Sequence, residues 1–140
     1  MKTSLLILLS LFVSSVCFGD KSSKSKNESY EFIGIPITKI GESGDLRTSE
    51  IVAKEDKLDL QCIITEVDGK FFWKTRENNE MVKVRSGIYI NYIALNGSGY
   101  VRVIDQEMKK NVFREGEQKF DYKEHLLSGL SSITYFGHTP

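Results

Sequence analysis

The sequence predicts an all-β domain, either a small antiparallel sandwich or a partly open barrel, with one short C-terminal helix. Three observations carry that expectation. Apolar and polar residues alternate with a period of two in several short runs. Clusters of Gly, Asn, Asp and Ser separate those runs. The runs recur at a spacing of roughly ten residues, which suits sandwiches and barrels.

The first run holds Phe32, Ile33, Ile35, Ile37 and Ile40, which are β-branched or aromatic, and Pro36 suits an edge strand because it has no N–H for a ladder. Gly41 to Asp45 forms a turn. Leu58, Leu60, Cys62 and Ile64 alternate with Asp59, Gln61 and Ile63 and predict a strand with one buried face. Asp68-Gly69 then separates it from Phe71-Phe72-Trp73, a hairpin signal because both turn positions require positive φ. Glu77 to Glu80 makes the next turn, before Met81, Val82 and Val84. Ile88 to Leu95 is apolar on both faces and is expected to be a central strand. Asn96-Gly97-Ser98-Gly99 is a turn, followed by a strand through Tyr100, Val101, Val103 and Ile104. Val112 and Phe113 suggest a return strand. Tyr122, His125 and Leu126 fall at helical spacing, so Asp121 to Leu130 reads as the short helix, and Ser131 to Phe136 as the closing strand.

The N-terminus has a different character. Lys2 precedes a run of Leu, Ile, Phe and Val from Leu5 to Val13, broken only by Ser10, and no acidic residue occurs before Asp20. That layout, with small residues at Ser14, Ser15 and Gly19, reads as a secretory signal over residues 1–19. It is too short to span a bilayer comfortably, and no second membrane-spanning stretch follows. Residues 20–29 are uniformly polar and read as a disordered linker, and residues 30–140 as a single β-rich domain. The mature chain is therefore expected to be exported, periplasmic or secreted. A lipid anchor at Cys17 is the alternative, disfavoured by the bulky Val16 before it.

The 140 residues carry 19 basic and 19 acidic side chains, a formal net charge of zero. This lacks the large basic excess of a nucleic-acid binder. Once Cys17 is removed Cys62 is the sole thiol, so no intramolecular disulfide can form, and its alternating position makes it a core residue. One cysteine with His125 and His138 does not provide metal-ligand spacing, and no metal or cofactor is expected. No phosphate-binding or dinucleotide motif occurs. Two sequons, at Asn27 and Asn96, matter only in a glycosylating pathway.

Cys62 in an alternating strand and Trp73 eleven residues on resemble the first cysteine and core tryptophan of immunoglobulin domains. Ser98-Gly99-Tyr100 is similar to the tyrosine-corner segment. The second cysteine would fall at the position of Arg102, where the pattern departs. The resemblance implies an immunoglobulin-like sandwich as an alternative fold and carries no functional residue over.

Among chemically capable residues, His125 is the candidate general base, with Glu124 and Asp121 near enough in sequence to orient its ring. Trp73, Tyr89 and Tyr100 are candidates for contact with a protein or glycan partner, while Cys62, Trp73 and Gly69 are expected to be structural. The leading functional expectation is an exported, non-enzymatic binding or structural module of the envelope or extracellular space. A small hydrolase or isomerase using His125 is one alternative. The other is an assembly subunit pairing through an edge strand such as Phe32 to Ile40.

Overall fold

The β-branched run after Tyr30 builds the longest element, β1 (Glu28–Ser43), whose length allows it to change neighbours midway. The structure, a computed structural model, describes residues 27–112 and 120–140. After β1 come β2 (Leu46–Ile51), β3 (Cys62–Val67), β4 (Lys70–Trp73), β5 (Asn79–Ser86), β6 (Tyr89–Ala94) and β7 (Gly99–Ile104). A short helix α1 (Gln106–Val112) follows, then β8 (Tyr122–Ser128) and β9 (Ser131–His138). The chain is all-β, as the alternation and turn spacing predict. The signal at residues 1–19, the lipid-anchor position Cys17, most of the polar linker and Phe113 lie outside the described residues.

The first half of β1 pairs with β3, from Glu28↔Val67 to Gly34↔Cys62. The second half pairs on its other side with β9, from Ile35↔His138 to Ser43↔Ser131. Pro36 sits just past this exchange and is fully buried, at a point where a missing N–H costs little because the β3 pairing has ended. Strands β3 to β9 run in sequential antiparallel order, and the β1–β9 pairing joins the ends of that order. Eight strands thus close into a barrel, and β2 is an extra strand on the β1 flank. Closure removes the open edge expected of a partly open barrel. The sequential order also differs from the crossed-over order of an immunoglobulin sandwich.

The tight turns follow the sequence closely. Asp68 and Gly69 have φ of 52° and 79°, and Val67↔Lys70 closes the two-residue hairpin. Glu77 and Asn78 also take positive φ, at 53° and 54°, between β4 and β5. Gly99 is required for a different reason: a Cβ there would lie 1.9 Å from the His125 carbonyl oxygen, so only glycine permits the close approach of β7 and β8.

Several expectations need correction. Asp121 to Leu130 is not a helix, because Tyr122, Glu124 and Leu126 turn inward while Lys123 and His125 turn outward along β8. Helical spacing of three residues in so short a segment is weak against ladders from both β7 and β9. Val112 belongs to α1 rather than to a return strand. Leu58 and Leu60 lie in turns held by Leu60 N–H to Asp56 C=O and Gln61 N–H to Leu58 C=O, so β3 starts only at Cys62, and Leu58 is exposed. The Glu28-Ser29 end of the supposed linker is paired with Val67 and Glu66. Phe32 to Ile40 is not a continuous edge: Phe32 to Gly34 pair with β3, Ile35 and Pro36 with β9, and Thr38 to Ile40 with β9 and β2, while β2 has a wholly unpaired outer side among the described residues. The strand around Ile88 to Leu95 has one buried face only, with Tyr89, Ile93 and Leu95 exposed.

The interior is filled by side chains. Phe32, Cys62, Ile64, Trp73, Met81, Tyr92, Ala94, Val101, Val103 and Tyr122 form one continuous cluster. Trp73 and Cys62 are both fully buried, as expected, on adjacent hairpin strands. Phe32 and Tyr122 meet edge to face with centroids 5.5 Å apart.

Candidate binding face

Two polar arrangements stand out, one inside the barrel and one on its outer surface. Inside, Glu124 is fully buried at the centre of β8. Its Oε1 accepts the Trp73 indole N–H at 3.0 Å, and its Oε2 pairs with Arg76 Nη2 at 3.1 Å. The Arg76 guanidinium lies 5.8 Å from the Tyr135 ring centroid. Burial raises the Glu124 carboxyl above its usual value, against the opposing effect of Arg76 and of hydrogen bonds from Cys62, Trp73 and Arg76. The Cys62 thiol is pushed up first by burial and then by Glu124. Such a thiol is protonated and shielded, in keeping with a structural role. The network links β3, β4, β8 and β9 but is sealed from solvent on the Glu124 side.

Polar side chains lie beside an open depression at each mouth of the barrel. At the α1 end, Glu31 accepts hydrogen bonds from Tyr92 Oη at 2.7 Å and from Lys83. Burial acts to raise the Glu31 carboxyl, but Lys83 and Tyr92 outweigh it and hold it below the usual value. A groove of about 350 Å³ lined by Phe32, Ile90, Tyr92 and Val103 opens beside them. Asp121 ties the C-terminus down, accepting the Thr139 N–H at 2.7 Å, the Thr139 hydroxyl and Lys109. At the other mouth, Arg76 faces a depression of about 450 Å³ that also includes Asn79 and Ser98.

His125 is on the outer face of β8, where its neighbours differ from those the sequence suggested. Nδ1 meets Thr134 Oγ1 at 2.7 Å, and the ring stands 5.3 Å from Tyr100. Glu124 points inward and Asp121 is engaged by Lys109 and Thr139, so neither carboxylate orients the imidazole. Burial and then Lys123 lower the His125 pKa, with Glu42 opposing them. His138 pairs with Ile35 in β9 and packs near Phe120, so it is held in the sheet. No group of three His, Cys, Asp or Glu among the described residues is placed to hold a metal ion. Nor is any described helix long and apolar enough to cross a membrane.

The outer face of β6 to β9 is the second arrangement. Register sets it out as two rows: Ile93, Tyr100, His125 and Thr134 lie side by side, and so do Asn91, Arg102, Lys123 and Phe136. Arg102 and Lys123 are therefore directly opposed, and like charges opposite each other on one face are unfavourable. Arg102 donates to Asn91 Oδ1 at 2.8 Å and lies 5.2 Å from the Tyr89 ring centroid. Lys123 Nζ is 5.5 Å from the Tyr100 centroid and 5.9 Å from that of Phe136. Neither cation has a carboxylate ion-pair partner among the described residues. The four strands carry a single carboxylate, Glu124, and it faces inward. Two adjoining depressions of about 160 and 310 Å³ share Arg102 as a wall.

Of the three contact candidates read from sequence, Tyr89 and Tyr100 lie on this face and Trp73 does not, being fully enclosed beside Glu124. Arg102 and Lys123 are not among the contact candidates that the sequence offers. Val101-Arg102-Val103 carried a signal, since its alternation turns Arg102 outward. Lys123 carried none while its segment read as a helix. Comparison with protein-family models, with curated proteins and with solved structures finds no match.

Proposed function

We propose that the mature chain is an exported, non-enzymatic binding module whose contact surface is the outer face of β6 to β9, around Tyr89 and Tyr100. One observation carries this reading: aromatic rings and two cations without carboxylate partners among the described residues share a face onto which strands β6 to β9 turn no acidic side chain, the nearest described carboxylate, Asp121, being engaged by Lys109 and Thr139. The exposed Tyr89 ring and the half-buried Tyr100 and Phe136 rings, flanked by cations, provide contact area and orientation together. The filled barrel interior supports a surface site over an internal chamber. Export rests on the Lys2 and Leu5–Val13 pattern; the mature protein then begins at Asp20, which intact mass measures directly.

The binding reading is tested by titrating isotope-labelled protein with a panel of acidic and neutral oligosaccharides and peptides. Amide shifts concentrated on Tyr89 to Ala94, Gly99 to Ile104 and Tyr122 to His138 are expected. Shifts confined to the groove beside Tyr92 or to the Arg76 mouth would overturn it.

A second reading draws on β2. Its outer edge is unpaired and all six residues are exposed, with Ile51 81% accessible. An assembly subunit that extends its sheet would have in β2 a full strand with a free side, longer than the one-sided stretch Phe32 to Gly34 of β1. A peptide pairing with β2 would protect the amides of that strand from hydrogen exchange.

A further inference from the structure

We propose that the β6–β9 face binds an acidic polysaccharide, with the sugar rings over Tyr100 and Phe136 and the anionic groups against Arg102 and Lys123; this rests on the binding-face reading above. The first argument is electrostatic. Directly opposed cations repel, and among the described residues each is offset only by neighbouring rings and, for Arg102, by the neutral Asn91 amide. An anion held between the two removes that repulsion, and Arg102 keeps further N–H donors for it.

Charge density argues for this polymer class. Two opposed cations suit a chain bearing occasional carboxylates or sulfates. A nucleic acid carries a charge at every phosphate and calls for a longer basic track. The backbone makes the next distinction. Acidic peptides commonly bind by adding a strand to a free edge, but β6, β7, β8 and β9 each have a neighbour on both sides. This face therefore offers a partner side chains only. Aromatic faces beside cations suit a ligand that is apolar on its ring face and anionic at its rim, as an acidic sugar is.

The test uses the full mature chain and three polymers of matched length: hyaluronan oligomers for carboxylates and kappa-carrageenan fragments for sulfates, each with a single charge per disaccharide repeat, and dextran as the neutral control. Calorimetry at low and at physiological salt gives the affinities, and amide shifts give the location. The expected result is binding of at least one acidic polymer tenfold or more tighter than dextran, weakening with salt. Arg102→Gln and Lys123→Gln should each reduce it at least fivefold with the melting temperature unchanged or raised. Tyr100→Ala should weaken binding while leaving its salt dependence intact. Equal affinity for dextran, or no binding of either acidic polymer, overturns the ligand class. So does tighter binding of oligothymidylate or polyglutamate. In those cases shifts that still map to this face leave the binding-face reading standing. Acidic polymer binding with shifts elsewhere overturns both.

Discussion

The Trp73 indole N–H donates to Glu124 Oε1 at 3.0 Å across the barrel interior, joining strands whose residues lie 51 positions apart. A buried carboxylate so placed satisfies the indole and is in turn held by Arg76. The hydrogen bond and ion pair make the centre of this small barrel a specific polar junction within an apolar core.

Trp73 provides the simplest measurement. Its fluorescence should show the blue-shifted emission of a fully enclosed indole. Trp73→Ala should cost on the order of 3–5 kcal/mol in urea denaturation, from the cavity and from the acceptor left unpaired. Emission typical of water-exposed tryptophan would contradict the enclosed position.

Arg76→Leu should destabilise more than its own burial suggests, because it leaves the Glu124 charge buried alone. Breaking a buried pair costs about 3–5 kcal/mol, and the partial exposure of Arg76 places this one at the lower end. The double variant Arg76→Leu/Glu124→Gln removes the stranded charge while keeping an acceptor for Trp73. It should recover more than half of the loss, whereas a strictly additive double variant would show the two residues to be uncoupled.

The raised Glu124 carboxyl gives a pH signature. With a folded pKa above the unfolded value, the native state holds a proton that the unfolded chain has released. The group's favourable contribution is fully present below the unfolded value and is lost as pH rises through the folded one. The stability difference between wild type and Glu124→Gln should therefore change in the mildly acidic range, with wild type losing relative stability as pH rises there. A difference that is flat with pH would refute the shift.

At the Asp68-Gly69 hairpin, Gly69→Val should destabilise by at least about 1–2 kcal/mol because a β-branched side chain resists left-handed backbone. Gly69→Asn should cost less, since Asn tolerates that region. No heavy atom lies within 4 Å of a Cβ built there, so conformation rather than crowding is what the thermal midpoints compare.

Proton NMR should show His125 titrating below the usual value of about 6.5. A lowered folded pKa means that its contribution is present above the unfolded value and is lost as pH falls through the folded one. Lys123→Gln should move the titration upward by removing the nearby cation. An unmoved midpoint in that variant would show that burial alone sets it.

Much of the fold is legible in local sequence. Asp68-Gly69 and Asn96 to Gly99 mark turns because few residues accept positive φ, and both lie where the residues place them. The turn expected over Glu77 to Glu80 instead spans Lys74 to Asn78, with Asn79 and Glu80 already in β5, and that expected over Gly41 to Asp45 is confined to Gly44 and Asp45. Cys62 reads as core from alternation, whereas Trp73, in the unbroken run Phe71-Phe72-Trp73, reads both as core and as a contact candidate, and only its enclosure beside Glu124 decides between them. The segment from Asp121 to Leu130 was not legible. Its inward row contains Glu124, and a carboxylate normally signals solvent, so the true period of two was masked. Only the Trp73 N–H and Arg76, far away in sequence, make that position suitable for the interior.

The candidate face divides in the same way. Tyr89 and Tyr100 were recognisable as available aromatics from their own strands. That Arg102 stands opposite Lys123, and that His125 pairs with Thr134 rather than a carboxylate, follows from the β7–β8 and β8–β9 registers. Those registers are set by many long-range contacts at once. By itself the sequence determined the β class, the Asp68-Gly69 and Asn96 to Gly99 turns and the core position of Cys62, because these depend on backbone conformation and side-chain alternation within a few residues. Tertiary structure alone decided closure through β1–β9, the interior place of Glu124 and the opposition of two cations on one face. Each of these depends on which distant strand supplies the neighbouring partner.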